Sequence, residues 1–420
     1  MCAREVLEQD LAEMSSVIQS KLITEVSKQV QALLTSLETT TLDIAITGDS
    51  GAGKSTFINA LRGLSDEDVG AAMTGVTETT TEPTVYQHPK IPTVRLWDLP
   101  GIGTPNFQAD QYLEQVGFEK YDFFVILASE RFRENNAYLA RSIRAMNKKF
   151  YFVRSKIDLD IRACQRNRNF NEERVLAKIR AGYICSLEKE GVEAPKVFLV
   201  SSFELHKYDF YKLQDTLVQE LNGQKRHVLL LSLPNNTAEV IQHKKDSLKS
   251  HVWKKALMTC IISALPTQPV HCNIPMLMDT LTLYQKNFGL DDESLSMLAQ
   301  NSRVSAQNSG ESTQNSSVST QELKKAITST LGKDLSANRV QAVLNEAASH
   351  SSMVSSLVTS RVPLLSHVIS GGISFVAAYS LLNSALDGFA QDAERLLRKA
   401  CGIEEVERQS FYDTELFYFD

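Results

Sequence analysis

Apolar residues recur at steps of three or four through the first part of the chain, at Leu7, Leu11, Met14, Ile18, Leu22, Val26, Val30, Leu33 and Leu37. That spacing gathers them on one face of a helix or helix pair. The opposite face is not strongly basic, so the pattern predicts packing against other helices rather than a membrane-surface role. From residue 42 the period changes. Short apolar runs at 42–47, 94–98, 123–127, 150–154 and 197–201 alternate with stretches of helical length at 56–64, 135–146 and 172–190. Buried strands alternating with helices predict a mostly parallel sheet with helices on both faces. Residues 83–88 form a further strand candidate, at an edge because Pro83 has no N–H for a ladder.

Beyond about residue 223 the strand signal fades and helical patterns run on. Residues 302–320 are rich in Ser, Asn and Gln and predict a polar, mobile surface loop. Residues 362–386 contain no Asp, Glu, Lys or Arg, and their length alone would allow a bilayer span. Pro363, His367, Gly371, Gly372 and Asn383 interrupt that run. The glycine pair predicts a break between two shorter core helices or a close helix–helix contact, with an interfacial or partner-binding element as the alternative. The organisation expected is an N-terminal helical segment (1–40) packing with the C-terminal helices, an α/β domain (41–222) and an all-helical domain (223–420).

Composition narrows the class. Hydrophobic residues make up 43% and charged residues 22%, which suits globular domains and not a disordered chain. The net charge of −6 disfavours a non-specific nucleic-acid binder, which needs a basic surface. The six cysteines include no CxxC pair, which argues against a zinc site and for reduced thiols in the cytosol. Residues 1–10 are charged and lack the apolar core of a signal peptide, Met1-Cys2 does not fit a myristoylation signal, and residues 417–420 are not a prenylation box. A cytoplasmic location is expected.

The sharpest chemistry lies at Gly48-Asp49-Ser50-Gly51-Ala52-Gly53-Lys54-Ser55, which fits GxxxxGK[ST] without deviation. It follows a strand candidate and opens a helix candidate continuing through Thr56, the context the motif requires. Its glycines let successive N–H groups curl toward phosphate oxygens, and the helix N-terminus adds positive potential. Lys54 is expected to reach the β and γ phosphates, and Ser55 to ligate Mg²⁺. Asp98-Leu99-Pro100-Gly101 follows the strand at 94–98. A carboxylate there suits a water-linked Mg²⁺ contact, and the Gly101 amide suits a γ-phosphate contact. Between the two motifs, residues 74–81 read TGVTETTT. Thr80 is the first choice for a mobile Mg²⁺-ligating hydroxyl, with Thr79 and Thr81 as alternatives.

Ser155-Lys156-Ile157-Asp158 points to the base. It is similar to the N/T-K-x-D guanine motif, with Ser in first place. The Asp158 carboxylate can accept from both guanine N1–H and the exocyclic amine, which adenine does not offer; mispairing those groups costs several kcal/mol. The Lys156 stem would lie over the base, and Ser201-Ser202 falls where backbone N–H groups would touch guanine.

Taken together, the segments 48–63 (GDSGAGKSTFINALRG), 70–80 (GAAMTGVTETT), 97–107 (WDLPGIGTPNF), 153–158 (VRSKID) and 288–295 (FGLDDESL) resemble the immunity-related GTPases, the interferon-inducible p47-type family. The resemblance implies a Ras-like P-loop GTPase domain between an N-terminal helical segment and a C-terminal all-helical domain. It implies GTP hydrolysis to GDP and phosphate with Mg²⁺, dynamin-like GTP-dependent self-assembly, contact with intracellular membrane surfaces, and a role in cell-autonomous innate defence. It also implies a dimer across the nucleotide faces in which Glu78 acts in trans. Some members carry Met in place of the phosphate-loop Lys; Lys54 places this chain with the hydrolysing branch. Ile102 stands where Ras-like enzymes place a water-orienting Gln, so slow basal turnover is expected. The alternatives are a GTP-dependent scaffold with negligible turnover and a reproductive-tissue branch of the family.

Overall fold

The computed structural model describes residues 23–75, 80–102, 112–205, 207–221, 223–264, 273–308, 319–349 and 375–400. The chain divides into two compact units, one spanning Ala32–Pro234 and the other the described residues of Met1–Gln31 and Asn235–Asp420.

The first unit is built on a six-stranded sheet: β1 (Leu42–Gly48), β2 (Thr84–Gln87), β3 (Val94–Asp98), β4 (Phe123–Ala128), β5 (Lys149–Arg154) and β6 (Val197–Leu199). The order is β2-β3-β1-β4-β5-β6, with β2 antiparallel at the edge and the other pairs parallel. Every residue of β1 and β4 is buried, as a strand covered on both faces must be. β1 lies between β3 and β4, so the chain reverses its direction of travel across the sheet at β1. The loops leaving the C-terminal ends of β1 and β3 therefore open into a crevice, where open α/β sheets bind ligands.

The helix α1 (Ile23–Thr39) enters this unit only from Ala32 onward. The helices that follow within the unit are α2 (Lys54–Arg62), α3 (Glu134–Ala145), α4 (Ile157–Cys164), α5 (Glu172–Lys189), α6 (Phe210–Glu220) and α7 (Gly223–Ser232). Phe118, Tyr121 and Phe124 stack in the core beneath the sheet's central strands, with Phe118 and Phe124 ring centroids 4.2 Å apart. Two expectations need correcting in this unit. The strand expected at 197–201 stops at Leu199, because the Ser201 hydroxyl accepts from Phe203 N and Glu204 N and turns the chain out of the sheet. Helix α7, expected with the C-terminal domain, belongs to the sheet unit: Gln224 bonds Thr40 and Ser36, and Lys225 pairs with Asp122.

The second unit is helical among its described residues: α8 (Ala238–Lys249), α9 (Val252–Ala264), α10 (Asn273–Asn287), α11 (Asp292–Asn308), α12 (Thr320–Ala326), α13 (Thr330–Lys333), α14 (Ala337–Ser349) and α15 (Phe375–Ala400). The long α15 packs against α8, α9, α10, α12, α13 and α14. The polar loop expected at 302–320 does not hold at either end. Residues 302–308 continue α11, since propagating an existing helix needs only moderate propensity, and Ser319 caps α12 in a capping box with Glu322. Residues 309–318 lie outside the described residues, as do residues 1–22. So do residues 350–374, which include the break expected at Gly371-Gly372; residues 375–386 open α15. Among the described residues no helix is long and apolar enough to cross a membrane.

Candidate functional site

β1 ends at Gly48, where the backbone lies against β4. A Cβ there would sit 2.0 Å from the Leu127 carbonyl oxygen, so no side chain fits. The chain then curls through Gly51 (φ 74°) and Gly53 (φ 86°), both in the left-handed region that glycine tolerates. Gly53 caps α2 without any side-chain hydrogen bond. The N-terminus of α2 thus faces the loop with its helix dipole, which favours an anion there. Ala52 is buried beneath this loop, Ser50 is exposed, and Thr56 lies in the first turn of α2. Lys54 folds back so that its Nζ donates to the Asp49 carbonyl at 3.1 Å.

The end of β3 supplies the opposite wall. Asp98 is 1% exposed, and its Oδ2 accepts from Ser55 Oγ at 2.5 Å and from Thr80 Oγ1 at 3.0 Å. Its Oδ1 is buried with no hydrogen-bond partner among the described residues. Burial raises the Asp98 carboxyl above its ordinary value, against the pull of the Ser55 bond, the Lys54 charge and the Thr80 bond. Two hydroxyls and a half-satisfied carboxylate make an oxygen donor set that suits a hard divalent cation such as Mg²⁺. Of the three threonines considered, Thr80 is the one brought to Asp98; Thr79 and Glu78 lie outside the described residues.

The segment after Asp98 runs alongside the phosphate loop. Leu99 N donates to the Ile46 carbonyl and Ile102 N to the Gly48 carbonyl. Ile102 is 2% exposed and packs in the core with Leu99 and Tyr112. Its side chain is committed to that core, so the residue anchors the backbone beside the phosphate loop. Gly101 abuts the loop directly: a Cβ on it would come 2.8 Å from Ser50 N.

The base-side loop is bonded to the phosphate loop. Ser155 Oγ donates to the Ala52 carbonyl at 2.7 Å, and Lys156 Nζ to the Gly51 carbonyl at 2.8 Å. Lys156 adopts a left-handed backbone (φ 57°) as it caps α4, which brings Asp158 into the helix's first turn. Asp158 is buried, with Arg162 NH2 3.9 Å away. Arg154 fixes the loop from behind, donating to the Ser155 carbonyl and to Asp160. Ser201 is fully buried and Ser202 half-buried on the neighbouring turn after β6.

Three residues of this site carry no motif. Asn135 and Asn136 open α3 and donate to the two Asp49 carboxylate oxygens at 3.3 and 3.2 Å; Asn135 Nδ2 also lies 3.4 Å from the Ile102 carbonyl. Tyr112 bonds Thr47 and the Pro100 carbonyl. The only sequence signal was an asparagine pair at a helix start, which reads as ordinary capping.

A phosphate loop at the sheet's switch point, a carboxylate beside it and a base-side S-K-x-D loop define a P-loop GTPase. The chain belongs to the interferon-inducible GTPase family, whose model it matches over residues 7–400. It is 39% identical over 401 residues to interferon-inducible GTPase 5 of Bos taurus, covering 94% of this chain and 83% of that one. It is 36% identical over 393 residues to interferon-gamma-inducible GTPase 10 of Mus musculus, covering 93% and 89%. To T-cell-specific guanine nucleotide triphosphate-binding protein 2 of Mus musculus it is 43% identical over 303 residues, covering 71% and 73%.

Proposed function

We propose that this GTPase holds GTP in the crevice above β1 and β3 and cleaves its γ phosphate by in-line attack of water. The observation that carries the reading is the convergence of Ser55 and Thr80 on the half-satisfied Asp98, beside the Lys54 loop. Residues 48–56 would cradle the phosphates through backbone N–H groups, with Lys54 countering charge as it develops on the γ phosphate. Ser55 and Thr80, with Asp98 through water, would hold Mg²⁺, which would offset the negative charge of the phosphates. Asp158 would accept from the guanine edge, Lys156 would cover the ring, and Ser201-Ser202 would meet the base through their backbone. With Ile102 packed in the core, this chain offers no side chain at that position to orient water, which favours slow turnover until a second group is supplied.

Family membership supports the wider reading: nucleotide-dependent self-assembly, with Glu78 contributing in trans, at the surface of intracellular membranes, in innate defence. Calorimetry with GDP, a non-hydrolysable GTP analogue and ADP, with and without magnesium, tests the core of it. Guanine nucleotides should bind, ADP should not, and Lys54→Ala should abolish phosphate release. No heat from either guanine nucleotide would overturn the reading. Turnover per monomer should rise with protein concentration, and liposome co-sedimentation should increase with the GTP analogue; flat responses remove the assembly and membrane parts.

A further inference from the structure

We infer that Tyr112 is a positioning residue for the γ phosphate: by holding the Pro100 carbonyl, it aims the Gly101 amide out of the core toward the phosphate cradle. The inference rests on the GTP-binding reading above and deepens it at the loop after β3.

Tyr112 is fully buried in the helical turn Tyr112–Gln115, its ring edge-on to Phe118 at 6.4 Å. Its hydroxyl donates to the Pro100 carbonyl at 2.8 Å and lies 2.8 Å from Thr47 Oγ1. A phenol has one proton. With that proton on Pro100, the phenol oxygen accepts from Thr47, the residue before Gly48. A relay of hydrogen bonds thus runs from the root of the phosphate loop to the loop after β3. The Pro100 C=O and the Gly101 N–H belong to one peptide unit. No described peptide bond is cis, so this unit is planar and trans, and its N–H points opposite to its C=O. Holding the carbonyl toward Tyr112 therefore turns the Gly101 amide away from the buried side. The next residues are fixed as well, since Ile102 N bonds the Gly48 carbonyl and Asn135 approaches the Ile102 carbonyl. Burial raises the Tyr112 phenol well above its ordinary value, so the proton stays in place at neutral pH.

The test is Tyr112→Phe, which keeps the ring and removes the hydroxyl. Calorimetry in magnesium should give a GDP affinity within about twofold of the parent protein and a GTP-analogue affinity about tenfold weaker. Single-turnover phosphate release should slow in step. If the ratio of analogue to GDP affinity is unchanged, or rises, the inference is wrong. Equal weakening of both nucleotides would assign Tyr112 a structural role only and likewise overturn it. Should Tyr112→Phe not fold, Tyr112→Met removes the same hydroxyl with a side chain that adapts to a buried site, and carries the same expectation. A parent protein that ignores both nucleotides defeats the GTP-binding reading itself and is recognisable before any variant is made.

Discussion

Ser155 has one hydroxyl proton, and the Ala52 carbonyl at 2.7 Å takes it. The Asn more usual at this position would carry a two-proton amide as well as an acceptor. Ser155 therefore joins the base loop to the phosphate loop, and reading the guanine edge falls to Asp158. Ser155→Ala should weaken GDP and a GTP analogue by the same factor, about fivefold, the scale of one neutral hydrogen bond, while the preference over ADP survives. Asp158→Ala should erase that preference. Calorimetry with the three nucleotides separates the two; a Ser155→Ala protein that accepts ADP as readily as GDP would contradict this division of labour. The difference between these residues and Asn135, Asn136 and Tyr112 also explains what could be read in advance. Lys54, Ser55 and Asp158 sit in contiguous motifs, so their chemistry is local and legible. The asparagines and the tyrosine acquire their roles only when α3 and the turn at Tyr112–Gln115 are folded against β1 and the loop after β3. No spacing along the chain encodes that meeting.

At the scale of elements, period and burial agreed wherever a strand is covered on both faces. β1 and β4 are buried along their whole length; β4 is an unbroken apolar run, and β1 is a short, mostly apolar one that also carries Asp43 and Thr47. Legibility failed where local chemistry overrode the period: the Ser201 turn cut β6 short, and α11 ran on through a polar stretch because it was already nucleated. The join of α6 to the sheet shows how elements are tied beyond pattern. Glu220, at the end of α6, accepts from the Tyr151 hydroxyl at 2.8 Å and pairs with Lys196 and Lys149. Burial alone would raise the Glu220 carboxyl; the Lys196 and Tyr151 hydrogen bonds and the two lysine charges outweigh it, and the net shift is downward. A carboxyl lowered in the native state releases its proton more readily there than in the unfolded chain. The stability it contributes is present above the unfolded pKa and is lost as pH falls through the native one. Glu220→Gln should cost about 1 kcal/mol at neutral pH, and the gap from the parent protein should close in the acid range below the ordinary glutamate value. Urea melts across pH measure it; a gap that stays constant through acid would rule out the ionic origin.

The whole molecule is two compact units, each with its own buried interior, and two cysteines report on them separately. Cys185 lies exposed on α5 of the sheet unit. Cys260 lies 1% exposed in α9 of the helical unit, in the same helix as the buried Trp253, Ala256 and Leu257. Burial pushes the Cys260 thiol up to about 12. Only the thiolate is a nucleophile, so at neutral pH Cys260 is protected twice, by lack of access and by lack of charge. A soluble thiol reagent should therefore modify Cys185 rapidly in the folded protein, and Cys260 only as fast as the helical unit opens. Peptide mapping after timed labelling distinguishes them. In rising urea the Cys260 rate should climb with the unfolding of its unit, because each opening exposes the sulfur and returns its pKa toward the ordinary thiol value. If Cys260 labelled as fast as Cys185 in native buffer, the helical unit would lack the closed interior that its long axial helix, α15, is placed to complete.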